Sequence, residues 1–205
     1  MVVETNSYAL FTSSNPKFDF SFLYPQDWKP REIEAKGYAE VFLQGPRSAD
    51  SKYGLSFAIR VVPTKAEGGK HGTADQLIDD YLNRMKKFAN FKQLSKARGE
   101  FAASEAVEFV ISYSMPLPLN TLNAEETTIL ERRIVVKRGS FFYVLVYSGT
   151  ENAYHASLSS FEYMAQTFQF SADSVEEARV FRPLVTPASP LVVREKDEDY
   201  GPQIS

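Results

Sequence analysis

Aromatic and β-branched residues recur at every second position in several short runs of this chain, and no other feature constrains its fold as strongly. Phe18-Asp19-Phe20-Ser21-Phe22-Leu23-Tyr24 puts four aromatics on one side of an extended backbone, as a half-buried strand requires. Pro25 closes the run, because proline donates nothing to a ladder. Gln26 to Pro30 reads as a turn carrying Trp28, the single tryptophan, expected as a core or rim anchor rather than a ligand platform.

The same alternation marks further strands. Tyr38 to Leu43 is one, followed by a loop of turn formers from Gly45 to Ser51. Tyr53 to Val62 sends Tyr53, Leu55, Phe57, Ile59 and Val61 to one side, and Pro63 ends it. Val107, Phe109, Ile111, Tyr113 and Met115 alternate with smaller or polar residues. From Thr127 to Lys137, Leu130, Ile134 and Val136 alternate with Glu131, Arg133 and Lys137, which predicts one wet face. Gly139-Ser140 turns the chain into Phe141 to Ser148, an almost unbroken apolar run suited to a central strand. The short link makes these last two an antiparallel hairpin.

Two segments switch to helical spacing. Thr73 to Ala89 carries Ala74, Leu77, Ile78, Tyr81, Leu82 and Met85 on one stripe, with Thr73 and Gln76 at capping-box distance. Glu151 to Phe168 aligns Tyr154, Leu158, Phe161, Ala165 and Phe168. Between strand and first helix, Lys65 to Gly72 contains Gly68-Gly69 and reads as a mobile connection. Beyond Phe170 the pattern fades into four prolines and the charged run Arg194 to Asp199. The organisation expected is one α+β domain over residues 1–172, an antiparallel sheet packed by two helices, then a flexible tail over 173–205. Val175 to Phe181 could add a helical turn there.

Composition narrows the function classes. At 205 residues the chain has room for one substantial core. A net charge of −3 gives no broad basic surface for nucleic acid. The absence of cysteine excludes disulfides, thiolate catalysis and cysteine-bound zinc. No run of about eighteen apolar residues spans a membrane. Met1 to Asn6 lacks a basic region followed by an apolar stretch, so the expectation is a cytoplasmic protein or one whose targeting segment was removed before Met1.

Catalytic constellations are hard to assemble. His71 and His155 would have to meet, helped by Glu151 or Asp75, to hold a metal; two solvated histidines are the plainer reading. Ser112, Ser114 and Ser148 lack a nucleophile elbow and read as ordinary sheet residues. Gly68-Gly69-Lys70-His71-Gly72 lacks the phosphate-loop pattern. The expectation is therefore no enzyme, no cofactor and no metal. Glu131, Arg132, Arg133, Lys137 and Arg138 make a charged hairpin, from which Arg132, Arg133, Lys137 and Arg138 are the candidate partner-binding residues. Its alternative is a solvated sheet edge kept from aggregating by charge.

The order of these segments resembles the PsbP-like family. Tyr24-Pro25-Gln26-Asp27-Trp28-Lys29-Pro30 is similar to that family's strand followed by Pro-x-x-Trp, and Leu55 to Pro63 to its next long strand closing on proline. Arg133 to Val144 is similar to its hairpin around a glycine turn, and Thr167-Phe168-Gln169-Phe170 to the end of its last helix. The resemblance covers residues 16 to 170. It implies an α/β/α sandwich around an antiparallel sheet. It also implies an accessory role like that of the extrinsic proteins of the photosystem II oxygen-evolving complex in the thylakoid lumen, which help retain calcium and chloride. A Ran-binding import factor and bacterial secretion chaperones share that fold. This chain has no counterpart of the extended N-terminal arm of the plant protein, and no histidine in Glu126-Thr127-Thr128, where the plant strand carries one. No binding residue carries over. Two functions remain: an exported or lumenal module on a membrane complex, or a cytoplasmic chaperone or adaptor that receives a partner's hydrophobic segment.

Overall fold

The computed structural model describes residues 7–47, 54–119, 122 and 124–171, and most of them build a seven-stranded antiparallel sheet. In chain order the strands are β1 (Tyr8–Phe11), β2 (Phe20–Pro25), β3 (Lys29–Ala35), β4 (Tyr38–Arg47) and β5 (Gly54–Pro63). Helix α1 (Ala74–Met85) separates these from β6 (Ala89–Phe101), β7 (Ser104–Leu117), β8 (Glu125–Arg138) and β9 (Phe141–Thr150). Helices α2 (Glu151–Ala156) and α3 (Leu158–Gln166) and the short β10 (Gln169–Phe170) complete the fold. The large sheet runs β3-β4-β5-β9-β8-β7-β6; β1, β2 and β10 form a separate small sheet.

Alternation along each strand divides the apolar residues between two cores. Leu55, Phe57, Ile59 and Val61 of β5 join Leu43, Leu145 and Tyr147 on one face, under Phe20, Phe22, Phe161 and Phe168 from the small sheet and α3. Val107, Phe109 and Ile111 of β7 join Val135, Phe142 and Val144 on the other face, under Ile78, Leu82 and Met85 of α1. The fold is therefore α+β in three layers: α1, the large sheet, then the small sheet with α2 and α3.

Local chemistry sets the element ends. Thr73 accepts a hydrogen bond from the Gln76 amide at 3.2 Å, and the Gln76 side chain accepts from the Gly72 amide at 2.9 Å, so one first-turn donor and the amide just before the cap are satisfied. The β8–β9 hairpin pairs Arg138 with Phe141 across Gly139-Ser140, with Gly139 at φ 55°. Trp28 is buried against the backbone of Gly45, where a Cβ would meet its ring at 2.6 Å.

Five expectations change. Phe20 to Tyr24 belongs to the small sheet, not the large one, so its aromatics cap the core instead of extending it. Strands β1, β3, β6 and the short β10 were not predicted; β3 and β6 are exposed along nearly their whole length and carry no apolar alternation. The first helix stops at Met85, and Ala89 already begins β6. The last helix breaks at Ser157 into α2 and α3. Finally, Ile129 to Val136 is buried on both sides, because α1 covers one face and α2–α3 the other. The tail expected over 173–205, with its possible turn at Val175 to Phe181, lies outside the described residues.

Candidate docking face

Helix α1 covers only part of its side of the sheet. Tyr81 reaches Glu131 and Arg133 on β8, while Asp75 and Asp79 pair with Lys96 and Arg98 on β6. The ring of Tyr81 also lies 6.1 Å from Phe109 on β7. On the same face, Ala58 of β5 is still buried in the α1 core, while β3 is exposed along nearly its whole length.

Register identifies what this uncovered part presents. Ile33 lies opposite Glu40, Arg31 opposite Phe42, and Glu40 opposite Arg60, so all five share the α1 side. Phe42 and Val62 are half-buried against the rim of the α1 core. Ile33 is 38% exposed and Tyr38 37% exposed. The Arg60 Nε donates to the Glu40 carboxylate, and the guanidinium carbon lies 5.6 Å from the centre of the Tyr38 ring. Glu40 is only 5% exposed, so Arg60 neutralises a carboxylate that the sheet has nearly removed from water. Tyr38 and Arg60, side by side over an apolar floor, are the residue types that anchor protein interfaces. The sequence held a usable signal for this patch in Tyr38 and Phe42, two aromatics four apart on one face of a strand. Which of its faces lacks a covering layer is a tertiary fact.

The four expected partner-binding residues are not brought together. Arg132 points to the α2–α3 side: its Nε donates to Glu108 at 2.8 Å, an Nη lies 3.7 Å from Glu162, and its guanidinium stands 5.0 Å from the Phe161 ring centre. Arg133 points to the α1 side, with its Nε 2.5 Å from Glu131. Both are buried, at 5% and 8% exposure, so they serve internal ion pairs on opposite faces and form no shared charged surface. Arg138 lies over the Phe170 ring at 4.3 Å and is half-buried. Lys137 alone of the four is exposed, on the α1 side opposite Phe142.

The electrostatics follow from burial. Removal from water opposes Arg133's charge, but Glu131 together with Tyr81 and Tyr113 outweighs it and raises the guanidinium pKa above its ordinary value. Burial pushes the Tyr81 phenol well up, and its hydrogen bond to Glu131 adds to the shift. His71 lies 3.5 Å from Asp80 on the α1 side, whereas exposed His155 sits on α2 across the sheet, so the two histidines do not converge. Among the described residues no three His, Asp or Glu side chains cluster as metal ligands, and no helix is long and apolar enough to cross a membrane.

No family model matches the chain, and no curated protein does. Several solved structures are similar in fold. The Ran-binding protein Mog1p of Saccharomyces cerevisiae superposes with a TM-score of 0.52 at 8% identity, over 82% of this chain and 97% of its own. The cyanobacterial PsbP of Synechocystis gives 0.48 at 17% identity, over 82% and 95%. A Pseudomonas aeruginosa protein of unknown function, described as a possible regulator, gives 0.47 at 14%, over 75% and 90%. At these identities the likeness is one of fold.

Proposed function

We propose that this chain is a non-catalytic binding module that receives a protein partner on the uncovered face of β3, β4 and β5. The observation that carries the reading is the Tyr38–Arg60–Glu40 arrangement beside exposed Ile33. An aromatic ring, a guanidinium and aliphatic surface stand on a rigid sheet where, among the described residues, no layer covers β3. In the finer form of the proposal, supported by the sequence resemblance, the partner is a membrane complex such as photosystem II, met in the thylakoid lumen or another exported location. The fold shared with Ran-binding Mog1p supports the second reading, a cytoplasmic adaptor or chaperone.

The test compares affinity capture by the natural chain with capture by an Ile33→Asp, Tyr38→Ala double variant, each quantified by mass spectrometry. The same proteins should co-purify reproducibly with the natural chain and be lost from the variant while its melting temperature is kept. Identical capture by both would refute the docking face. Rebinding to photosystem II membranes stripped of their extrinsic proteins separates the finer reading from the adaptor.

A further inference from the structure

We infer that the segment docked on this face is an acidic amphipathic helix, seated over β3–β5 beside α1; this rests on the docking face proposed above. Width is the first argument. Strands lie about 4.8 Å apart, so β3, β4 and β5 span about 10 Å, the diameter of one helix. That leaves one helix width next to α1, with a floor of Ile33, Phe42, Val62 and the Tyr38 ring around the Arg60–Glu40 pair. A helix stripe at i, i+3, i+4 and i+7 fits such a floor.

Charge supplies the sign. Lys29 and Arg31 project on this face, both exposed, and neither has an ion-pair partner among the described residues. Arg60 adds a third cation, half-exposed at 39% of its side chain, and the only carboxylate on the three strands' inner rows is Glu40, already held by Arg60. A partner with Asp or Glu bordering its apolar stripe would pair with Lys29 and Arg31, whereas basic borders would meet repulsion.

Two other occupants fit less well. An added strand would have to use the edge of β3, but Pro30 and the charges at Lys29, Arg31, Glu32 and Glu34 are devices that keep an edge unpaired. A second copy would set Lys29 and Arg31 of one face towards those of another across a two-fold axis.

Panning a phage-displayed library of helix-forming peptides on the full chain, with counter-selection on Ile33→Asp, tests the inference. Enriched peptides should carry carboxylates on both borders of an apolar stripe. A labelled peptide of enriched sequence should bind the Lys29→Glu, Arg31→Glu variant at least about tenfold more weakly, with a strong salt dependence. Both positions are exposed, so the variant's melting temperature should match the natural chain's. Basic or uncharged borders, no enrichment, or equal binding by the variant would overturn the inference. So would sedimentation showing that the natural chain dimerises through this face and Ile33→Asp does not. If capture of native partners is lost in the Ile33→Asp, Tyr38→Ala variant while selected peptides are not acidic, the docking face stands and only the acidic helix falls.

Discussion

The guanidinium of Arg133 lies 3.5 Å above the ring of Tyr81, and both residues converge on one carboxylate oxygen of Glu131. A strand three places into the sheet therefore carries a closed charge cluster beneath a helix, and α1 is attached to β8 through its tyrosine. Truncating Arg133 would leave Glu131 buried without its cation. Arg133→Ala should cost about 3–5 kcal/mol, and Arg133→Glu should prevent folding. Chemical denaturation checks the first and soluble expression the second. Lys137→Glu, four residues along the same strand and exposed, is the control and should leave stability unchanged.

Four phenols that the fold withdraws wholly or partly from water link stability to alkaline pH. Burial is the main cause in each: Tyr154 is pushed up to about 12, while Tyr81, Tyr143 and Tyr147 are raised further. Tyr143 is also held protonated by donating to Asp19 at 2.7 Å, and Tyr147 donates to the Tyr154 carbonyl at 2.7 Å. An unfolded tyrosine titrates near about 10. Above that pH the unfolded chain binds fewer protons than the native one, so the difference in bound protons turns negative and stability falls with rising pH. The contribution is complete below about pH 10 and lost as pH climbs towards the native values. Denaturation midpoints measured across this range should fall steeply above it, together with a cooperative rise in tyrosinate absorbance. A flat profile would mean these phenols are solvated.

Much of this fold was legible in the sequence, and the failures share a cause. The runs that became β4, β5, β7, β8 and β9 announce themselves because each buries at least one face, and α1 because its stripe is buried. Strands β3 and β6 lie at the two edges, so Lys-Pro-Arg-Glu-Ile-Glu-Ala and most of the residues of β6 bury nothing that alternation could reveal. Only backbone pairing defines them. The Glu131-Arg132-Arg133 run misled in the opposite direction. Three consecutive charges read as a wet surface, yet each finds its counter-charge inside the fold: Glu108 and Glu162 on one face, Glu131 with Arg133 on the other. Such compensation depends on residues 24 and 30 positions away, which periodicity cannot see.

The connection before α1 is tied down more firmly than its glycines suggest. The Lys65 amide donates to the His71 carbonyl at 2.7 Å, and the Gly69 amide to Thr64 at 2.9 Å. A Cβ on Gly69 would stand 1.8 Å from the Pro63 carbonyl oxygen, a backbone atom with no room to retreat. Gly69→Ala should therefore cost about 1–3 kcal/mol, as overpacking does. At Gly72 the nearest atom to an added Cβ is the Gln76 Oε1 at 3.6 Å, an ordinary contact, so Gly72→Ala should be nearly silent. Thermal melts of the pair distinguish a closed turn from a loose linker, which would tolerate both.

Leu82 and Ile33 lie on the same side of the sheet, and their difference separates folding from recognition. Leu82 is 7% exposed within the core beneath α1, so Leu82→Ala removes methyl groups that nothing refills and should cost about 2–5 kcal/mol. Lys86 caps the helix C-terminus and is exposed, outside the buried stripe, so Lys86→Ala should change stability by less than about 0.5 kcal/mol. Ile33 sits on an edge strand with no layer above it among the described residues, so its side chain has little burial to lose. Ile33→Ala should cost under about 1 kcal/mol in denaturant, yet weaken partner binding, because the area it offers is buried only in the complex. The two measurements together are decisive. If Ile33→Ala destabilises the free chain as strongly as Leu82→Ala, this face is already covered in the folded protein and cannot be the surface that a partner meets.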